Sequence, residues 1–310
     1  MTAFICRILP LVSLLIFGAG TDAAYALGCQ FSGTGIAFGS VNTLTSGSSN
    51  GTANLNIYSC HATVTTLNGT ISAGNGSGGS NGTFRQMKNG TSSLNFQLYS
   101  DSARTNVFGS ATGNMGGAPI TFKRNLSGPG ESMTIPVYGR IIGNQSSVPP
   151  GSYTSTVMMS VRYRSCSGCV WRDETFEFNV TATVEKGCSV SATDIDFGSQ
   201  GGLASAVDAN GRLNVLCTPG TDFQISLNNG QNGTAANDRK MRSAAGGTVR
   251  YNLYRDPGHT ALWGSTLSTD TLMSTGKGTT DTHTVYGQVP VQSTPPAGVY
   301  TDTIIVTLTY

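Results

Sequence analysis

Apolar residues recur at every second position in short blocks along this chain, and clusters of Gly, Asn and Pro separate the blocks. Val157, Met159, Val161 and Tyr163 form one block; Phe176, Phe178, Val180, Ala182 and Val184 form another, with Glu177, Asn179, Thr181 and Thr183 on the opposite face. In a third, Ile304, Val306, Leu308 and Tyr310 alternate with Ile305, Thr307 and Thr309. A period of two points successive side chains to opposite faces, so each block predicts a half-buried β-strand. No 3.6-residue period is sustained beyond the N-terminal apolar run, and the chain reads as all-β.

The pattern occurs twice, at an offset of about 150 residues. Gly28-Cys29 followed by Ile36-Ala37-Phe38-Gly39-Ser40 returns as Gly187-Cys188 followed by Ile195-Asp196-Phe197-Gly198-Ser199, with the same spacing from Cys to Ile. Phe96 to Asp101 returns as Tyr251 to Asp256, Phe108-Gly109 as Trp263-Gly264, and Val137-Tyr138-Gly139 as Val285-Tyr286-Gly287. The segment from Pro149-Pro150 to Tyr163 returns as that from Pro295-Pro296 to Tyr310. Glycine-rich Ser72 to Gly82 aligns with Ser226 to Gly233, so it is a loop within the first copy rather than a linker. The fold class that follows is two tandem immunoglobulin-like β-sandwiches, with domains at 27–185 and 186–310, each long enough to close its own core.

The two copies end differently. The first continues past Tyr163 through a hairpin into the strand from Thr175 to Val184, whereas the second stops at Tyr310. The second domain is therefore expected to lack its final strand and to expose an apolar acceptor groove along Ile304, Val306, Leu308 and Tyr310. An unpaired edge of that kind invites another chain to add a strand. The alternative is a second copy that closes with six strands.

Arg7, the apolar run from Ile8 to Ala19 and the small-x-small Ala24-Tyr25-Ala26 read as a secretory signal peptide over residues 1–26, with Leu27 as the first mature residue. A lipoprotein box ending at Cys29 competes with that reading, but Gly-Cys recurs at Cys188, where no lipid can attach. Of seven cysteines, Cys6 leaves with the signal. The repeat pairs Cys29 with Cys60 and Cys188 with Cys217, leaving Cys166 with Cys169 in a Cys-x-x-Cys. No helix follows that motif to lower a thiol pKa and no second ligand pair accompanies it, so a hairpin-tightening disulfide is expected rather than a redox or zinc site. His61, His259 and His283 have no ligand spacing, and no cofactor or metal is expected.

Charged residues make up 11% of the chain and the net charge is +2, too little and too dispersed to predict nucleic acid or an anionic membrane as partner. Asp and Glu are scarce and no Gly-x-Ser-x-Gly elbow is present, so the chain does not read as an enzyme.

The paired Gly-Cys, the Ile-x-Phe-Gly and the ending from Pro296 through Gly298-Val299-Tyr300-Thr301-Asp302-Thr303 to Tyr310 resemble the spore coat protein U domain, over nearly the whole mature chain. The first copy diverges, with Ser152-Tyr153-Thr154-Ser155-Thr156 where the second has Val299 to Thr303. The resemblance implies a secreted subunit of an archaic chaperone-usher pilus. Its partners would be a periplasmic chaperone, an outer-membrane usher and a neighbouring pilin that supplies the donor strand. Only Leu27 and Gly28 precede Cys29 in the expected mature chain, so it is expected to accept a strand without giving one, as a tip adhesin does at the end of the fibre.

The receptor or abiotic surface would then meet the far pole of the first domain. The hairpin of Cys166 to Trp171 is placed there, together with the long connection from Ser110 to Glu131. Val170, Trp171, Met115, Pro119, Ile120 and Phe122 are the candidates for an exposed apolar patch. For Trp171, Ile120 and Phe122 the alternative is a place in the core. A coat or matrix component without a receptor is the other functional class.

Overall fold

The computed structural model describes residues 28–60, 66–110, 114–125, 131–166 and 168–310, so the expected signal peptide lies outside the described residues. Apart from one 3-10 turn at Asn114–Gly116, the regular elements among the described residues are strands. The first domain contains β1 (Gln30–Gly33), β2 (Ile36–Val41), β3 (Ser49–Tyr58), β4 (Thr66–Ala73), β5 (Arg85–Asn89), β6 (Ser92–Tyr99), β7 (Ile120–Asn125), β8 (Met133–Ile141), β9 (Gly151–Arg164) and β10 (Arg172–Val184). They bond in the order β1-β3-β8-β6-β5-β9-β10-β2, and β4 joins β9 to β7. The 14-residue β9 meets β5 at Thr154 and β4 from Met159 to Arg164, so it passes from one layer of the sandwich to the other.

β10 closes this domain. It runs antiparallel to β9 from Arg172 opposite Tyr163 to Val184 opposite Gly151, and parallel to β2 from Val180 opposite Ile36 to Val184 opposite Val41. Its alternating Phe178, Val180, Ala182 and Val184 enter a core that also holds Leu55, Phe96, Phe108, Tyr153 and Tyr163. β1 and β2 belong to opposite ends of that order and are joined by Thr34-Gly35. Gly35 has φ +73°, and a Cβ there would lie 2.6 Å from the Asn179 carbonyl oxygen of β10, so both the backbone conformation and the close approach demand glycine.

The second domain contains β11 (Cys188–Ala192), β12 (Val207–Cys217), β13 (Asp222–Leu227), β14 (Arg239–Ser243), β15 (Thr248–Tyr254), β16 (Leu272–Thr275), β17 (Asp281–Val289), β18 (Tyr300–Thr301) and β19 (Val306–Thr309). One sheet runs β11-β12-β17-β15-β14-β18 and the other β16-β13-β19. Its core is separate, centred on fully buried Trp263, whose indole N–H donates to the Ile225 carbonyl at 2.9 Å. The domains touch where the Ser146 hydroxyl donates to the Gly278 carbonyl at 2.7 Å.

Three disulfides are present: Cys29 with Cys60, Cys166 with Cys169, and Cys188 with Cys217. The first and third occupy equivalent places in the two domains and tie the opening strand to the strand beside it.

Two equivalent arginines carry a structural role that the sequence pattern does not announce. Arg85 and Arg239 are both fully buried. Arg85 donates to the carbonyls of Gly74 (2.7 Å), Ala73 (3.0 Å) and Phe108 (2.8 Å) and to the Gln97 side chain. Arg239 donates to the carbonyls of Asn228 (2.9 Å), Leu227 (3.1 Å), Trp263 (2.7 Å) and Ala236 (3.1 Å). Each guanidinium thus satisfies carbonyls where a strand end and two loops leave the ladders. Burial lowers the Arg85 pKa to about 10, so it remains a cation at neutral pH, and burial lowers that of Arg239 as well.

A second repeated device caps the turn after β6 and the turn after β15. The Asp101 carboxylate accepts from the Asn106 N–H at 2.7 Å and the Thr105 hydroxyl at 2.8 Å; Asp256 does the same with Ala261 and Thr260 at the same distances. The backbone hydrogen bond from Asn106, first, and those from Thr105 hold Asp101 below the usual carboxylate range, and Ala261 and Thr260 do so for Asp256.

Two outcomes follow. Arg85→Lys leaves the planar fork unfilled and carbonyls orphaned, and is expected to destabilise the first domain by about 3 kcal/mol or more in denaturant unfolding; a midpoint equal to wild type would refute the clamp. Because the folded pKa values of Asp101 and Asp256 are depressed, their contribution is complete above the unfolded value of about 4 and is lost as pH falls from there through the folded values. The acid limb of the melting temperature against pH is therefore expected to flatten in Asp101→Asn/Asp256→Asn, as calorimetry across that window would record.

Candidate functional site

The strand that opens after each Pro-Pro pair provides a comparison within one molecule. In both copies a tyrosine hydroxyl donates to the carbonyl four residues upstream, Tyr153 to Pro149 at 2.8 Å and Tyr300 to Pro296 at 2.7 Å, so the strands start alike. In the first copy β9 is continuous, and Tyr153, Val157, Met159, Val161 and Tyr163 are 0–1% exposed. Their equivalents Tyr300, Ile304, Val306 and Leu308 are only half-buried, and Tyr310 is 58% exposed. The equivalent strand is also broken, with β18 and β19 separated by residues 302–305. β19 pairs with β13 on one side, and no strand among the described residues bonds to its other side.

The opposite wall of the same space changes too. Ile36 to Val41 is β2 because β10 lies beside it, whereas Ile195-Asp196-Phe197-Gly198-Ser199, with the same pattern, forms no strand. Ile36 is buried, while Ile195 and Phe197 are half-buried. A cavity of about 620 Å³ opens here, lined by Ile195, Phe197, Leu203, Val249, Val289 and Tyr300 among others. One local sequence thus adopts two states according to whether its partner strand is present, which is tertiary context overriding local preference.

Asp302, in the break between β18 and β19, ties this segment to the neighbouring loop and to β15. Its carboxylate accepts from the Tyr251 hydroxyl at 2.7 Å and the Gln231 N–H at 2.8 Å. Burial first, and then the Asp302 carboxylate, push the Tyr251 pKa strongly upward, so the hydroxyl stays a donor. Ser155, the equivalent of Asp302, is buried and accepts from the Gly78 N–H at 3.3 Å, so the two residues hold the same loop by different chemistry.

The second region is the pole of the first domain remote from the second. β10 begins there and ends beside the linker, a span of about 40 Å for 13 residues. Val170 is 83% exposed and Trp171 43% exposed at this pole. The guanidinium carbons of Arg162 and Arg164 lie 5.8 and 5.0 Å from the Trp171 ring centroid.

The other four candidates for an apolar tip patch do not gather with them. Phe122 is only 3% exposed and belongs to the core, because on β7 it faces inward opposite Gly69 of β4. Ile120, at the start of β7, packs partly buried against the same core, opposite Ile71. β7 reaches the pole only at Asn125, opposite Thr66, so Met115, Pro119 and Ile120 lie back along the side of the domain. The segment 126–130 of the same connection lies outside the described residues. Sequence reasoning missed Arg162 and Arg164, although their place in the alternation opposite Val161 and Tyr163 already puts both on the outer face of β9.

The described residues contain no group of three or more His, Cys, Asp or Glu able to hold a metal. No helix among them is long and apolar enough to cross a membrane.

These geometries define a class: tandem all-β sandwiches, one closed and one with an open edge. The family model described as Spore Coat Protein U domain matches residues 17–160 and 174–307, and the chain belongs to that family. "Protein U" of Myxococcus xanthus is 33% identical over 152 residues, covering 44% of this chain and 84% of that protein. Among solved structures, the chain resembles one in the CsuC-CsuE chaperone-tip adhesion subunit pre-assembly complex from the archaic chaperone-usher Csu pili of Acinetobacter baumannii. That match has TM-score 0.56 and 17% identity, covering 90% of this chain and all of the other. The CupB6 tip adhesin of Pseudomonas aeruginosa also matches, at TM-score 0.37 and 13% identity over 91% and 94% of the two chains. The fold is that of the matched pilus subunit.

The open edge has a measurable consequence. Amides of Val306 to Thr309 that do not bond to β13 are expected to exchange with solvent orders of magnitude faster than those of Val157 to Tyr163, which β10 covers. Residue-level hydrogen exchange on the full chain checks this; equal protection would mean that the edge is covered.

Proposed function

We propose that this protein is a pilus tip adhesin of the archaic chaperone-usher type: its first domain meets a surface or receptor, and its second joins the fibre by accepting a strand from the next subunit. The observation that carries the reading is the contrast between β9, covered by β10, and β18–β19, left uncovered in an otherwise equivalent domain. An incoming strand would supply main-chain hydrogen bonds to β19 and place alternate apolar side chains over Ile304, Val306 and Leu308 and in the cavity beside Ile195 and Phe197. The likeness to a chain from a chaperone-tip adhesion subunit complex supports a periplasmic chaperone as the first occupant of the groove. A neighbouring pilin would replace it at an outer-membrane usher, and cell-surface display at the pilus end follows. The family name and the Myxococcus relative favour a second reading, a coat component assembled through the same groove but without a receptor.

The test fuses a flexible turn and an alternating apolar strand after Tyr310 of the full chain and follows calorimetric unfolding. Covering several half-buried residues at about 1 kcal/mol each is expected to raise the transition of the second domain by about 10 °C and leave that of the first unchanged. An unmoved second transition would sink the strand-acceptor reading. Failure of the fused full chain to hold cells or beads to any surface would favour the coat reading.

A further inference from the structure

We propose that the pole of the first domain binds an acidic polysaccharide through Arg162, Arg164, Lys123 and Trp171. The inference rests on the adhesin reading in making the first domain the binding module, and it specifies a ligand class for a pole that the sequence marks only as apolar.

The site is built by ladder geometry. Arg164 of β9 lies opposite Asn68 of β4, and Asn68 lies opposite Lys123 of β7. With strands about 4.8 Å apart, this sets the backbone positions of the two residues roughly 10 Å apart across the outer face of the sheet. One step along, Arg162 lies opposite Thr70 of β4. Trp171 folds back from the hairpin over both guanidiniums, and the Cys166–Cys169 disulfide closes the turn that presents it.

These cations have no hydrogen-bond acceptor or carboxylate of their own among the described residues. Asp173 faces Arg162 across the β9–β10 ladder yet stays beyond ion-pair distance, and the neighbouring Arg124 is already paired with Glu131. The Nε of Arg164 is buried and makes no hydrogen bond. A guanidinium stacked on an indole keeps its in-plane N–H groups directed outward, in the fork that matches a carboxylate or sulfate. The exposed part of Trp171 and the neighbouring Val170 offer an apolar edge to the C–H face of a sugar, and the Asn68 amide between Arg164 and Lys123 and the Thr70 hydroxyl beside Arg162 offer partners to sugar hydroxyls. Separated cations with neutral polar groups between them fit a polymer with recurring charges better than a single ion.

The shared chemistry is a carboxylate or sulfate on a polymer, and two probes separate the sources. The full chain is passed over immobilised polygalacturonate and heparin, with dextran as the neutral control and anionic phospholipid vesicles as a fourth surface. Binding to at least one acidic polysaccharide and not to dextran is expected, weakening as salt is raised from about 0.05 to 0.5 M because the contacts are exposed. Arg162→Ser and Arg164→Ser are each expected to weaken it about ten-fold, and Trp171→Ala about three-fold with little change in salt dependence. Arg162→Ser, at an exposed position, carries the test should the half-buried Arg164 prove necessary for folding.

Binding to neither polysaccharide, binding that survives Arg162→Ser/Arg164→Ser, or capture by vesicles alone would overturn the site. A chain whose second domain responds to the fused strand but which ignores both polysaccharides loses this site and keeps the subunit reading. A chain that binds them but is indifferent to the strand does the reverse.

Discussion

The architecture depends on one constraint: the inner face of the strand that follows each Pro-Pro pair must be covered. In the first domain β10 covers it, and three consequences appear together. β9 is continuous over 14 residues, its inner side chains are dry, and Ile36 to Val41 becomes a strand by pairing with β10 on its far side. In the second domain all three are absent at once. The corresponding segment is split, its side chains are half-exposed, and Ile195 to Ser199 forms no strand. A shared cause accounts for the set, since one strand supplies both ladders and the apolar filling between them.

What remains ordered in the second domain shows how such an edge is supported from beneath. Arg239 draws together the carbonyls of Leu227, Asn228 and Trp263, and Asp302 fixes the loop at Gln231 and the Tyr251 hydroxyl. The Asn228 side chain also accepts from the Ile305 N–H at 2.9 Å, inside the break between β18 and β19. These polar contacts fix the loops around the break between β18 and β19 without a further strand beside β19. Buried charge that is fully hydrogen-bonded keeps a shape that apolar packing alone would let collapse.

Much of this was legible in the sequence because period-two alternation and a long internal repeat are strong signals. The alternation of Phe176 to Val184 against Glu177 to Thr183 marked a half-buried strand, and the block from Ile304 to Tyr310 pointed to the edge that the structure leaves unpaired. Phe122 shows the limit. Its inward direction depends on pairing with Gly69, a residue more than fifty positions away, and a tertiary register cannot be read from a connection treated as a loop. Arg85 and Arg239 were invisible for a different reason: an arginine in a polar stretch reads as surface, and only the convergence of carbonyls from distant loops makes its burial favourable.

β10 links completion of the core to the placement of the pole. The strand that fills the first domain is also the arm of the hairpin carrying Val170 and Trp171, so the tip is mounted on the element with the most extensive ladder in the domain. Outward-facing residues near the turn, such as Arg162 and Trp171, can change without disturbing the core, whereas Phe178, Val180 and Ala182 cannot. The two ends of the molecule are thereby free to differ in chemistry: a cationic and aromatic pole held rigid by its own last strand, and an apolar groove that stays open for lack of one.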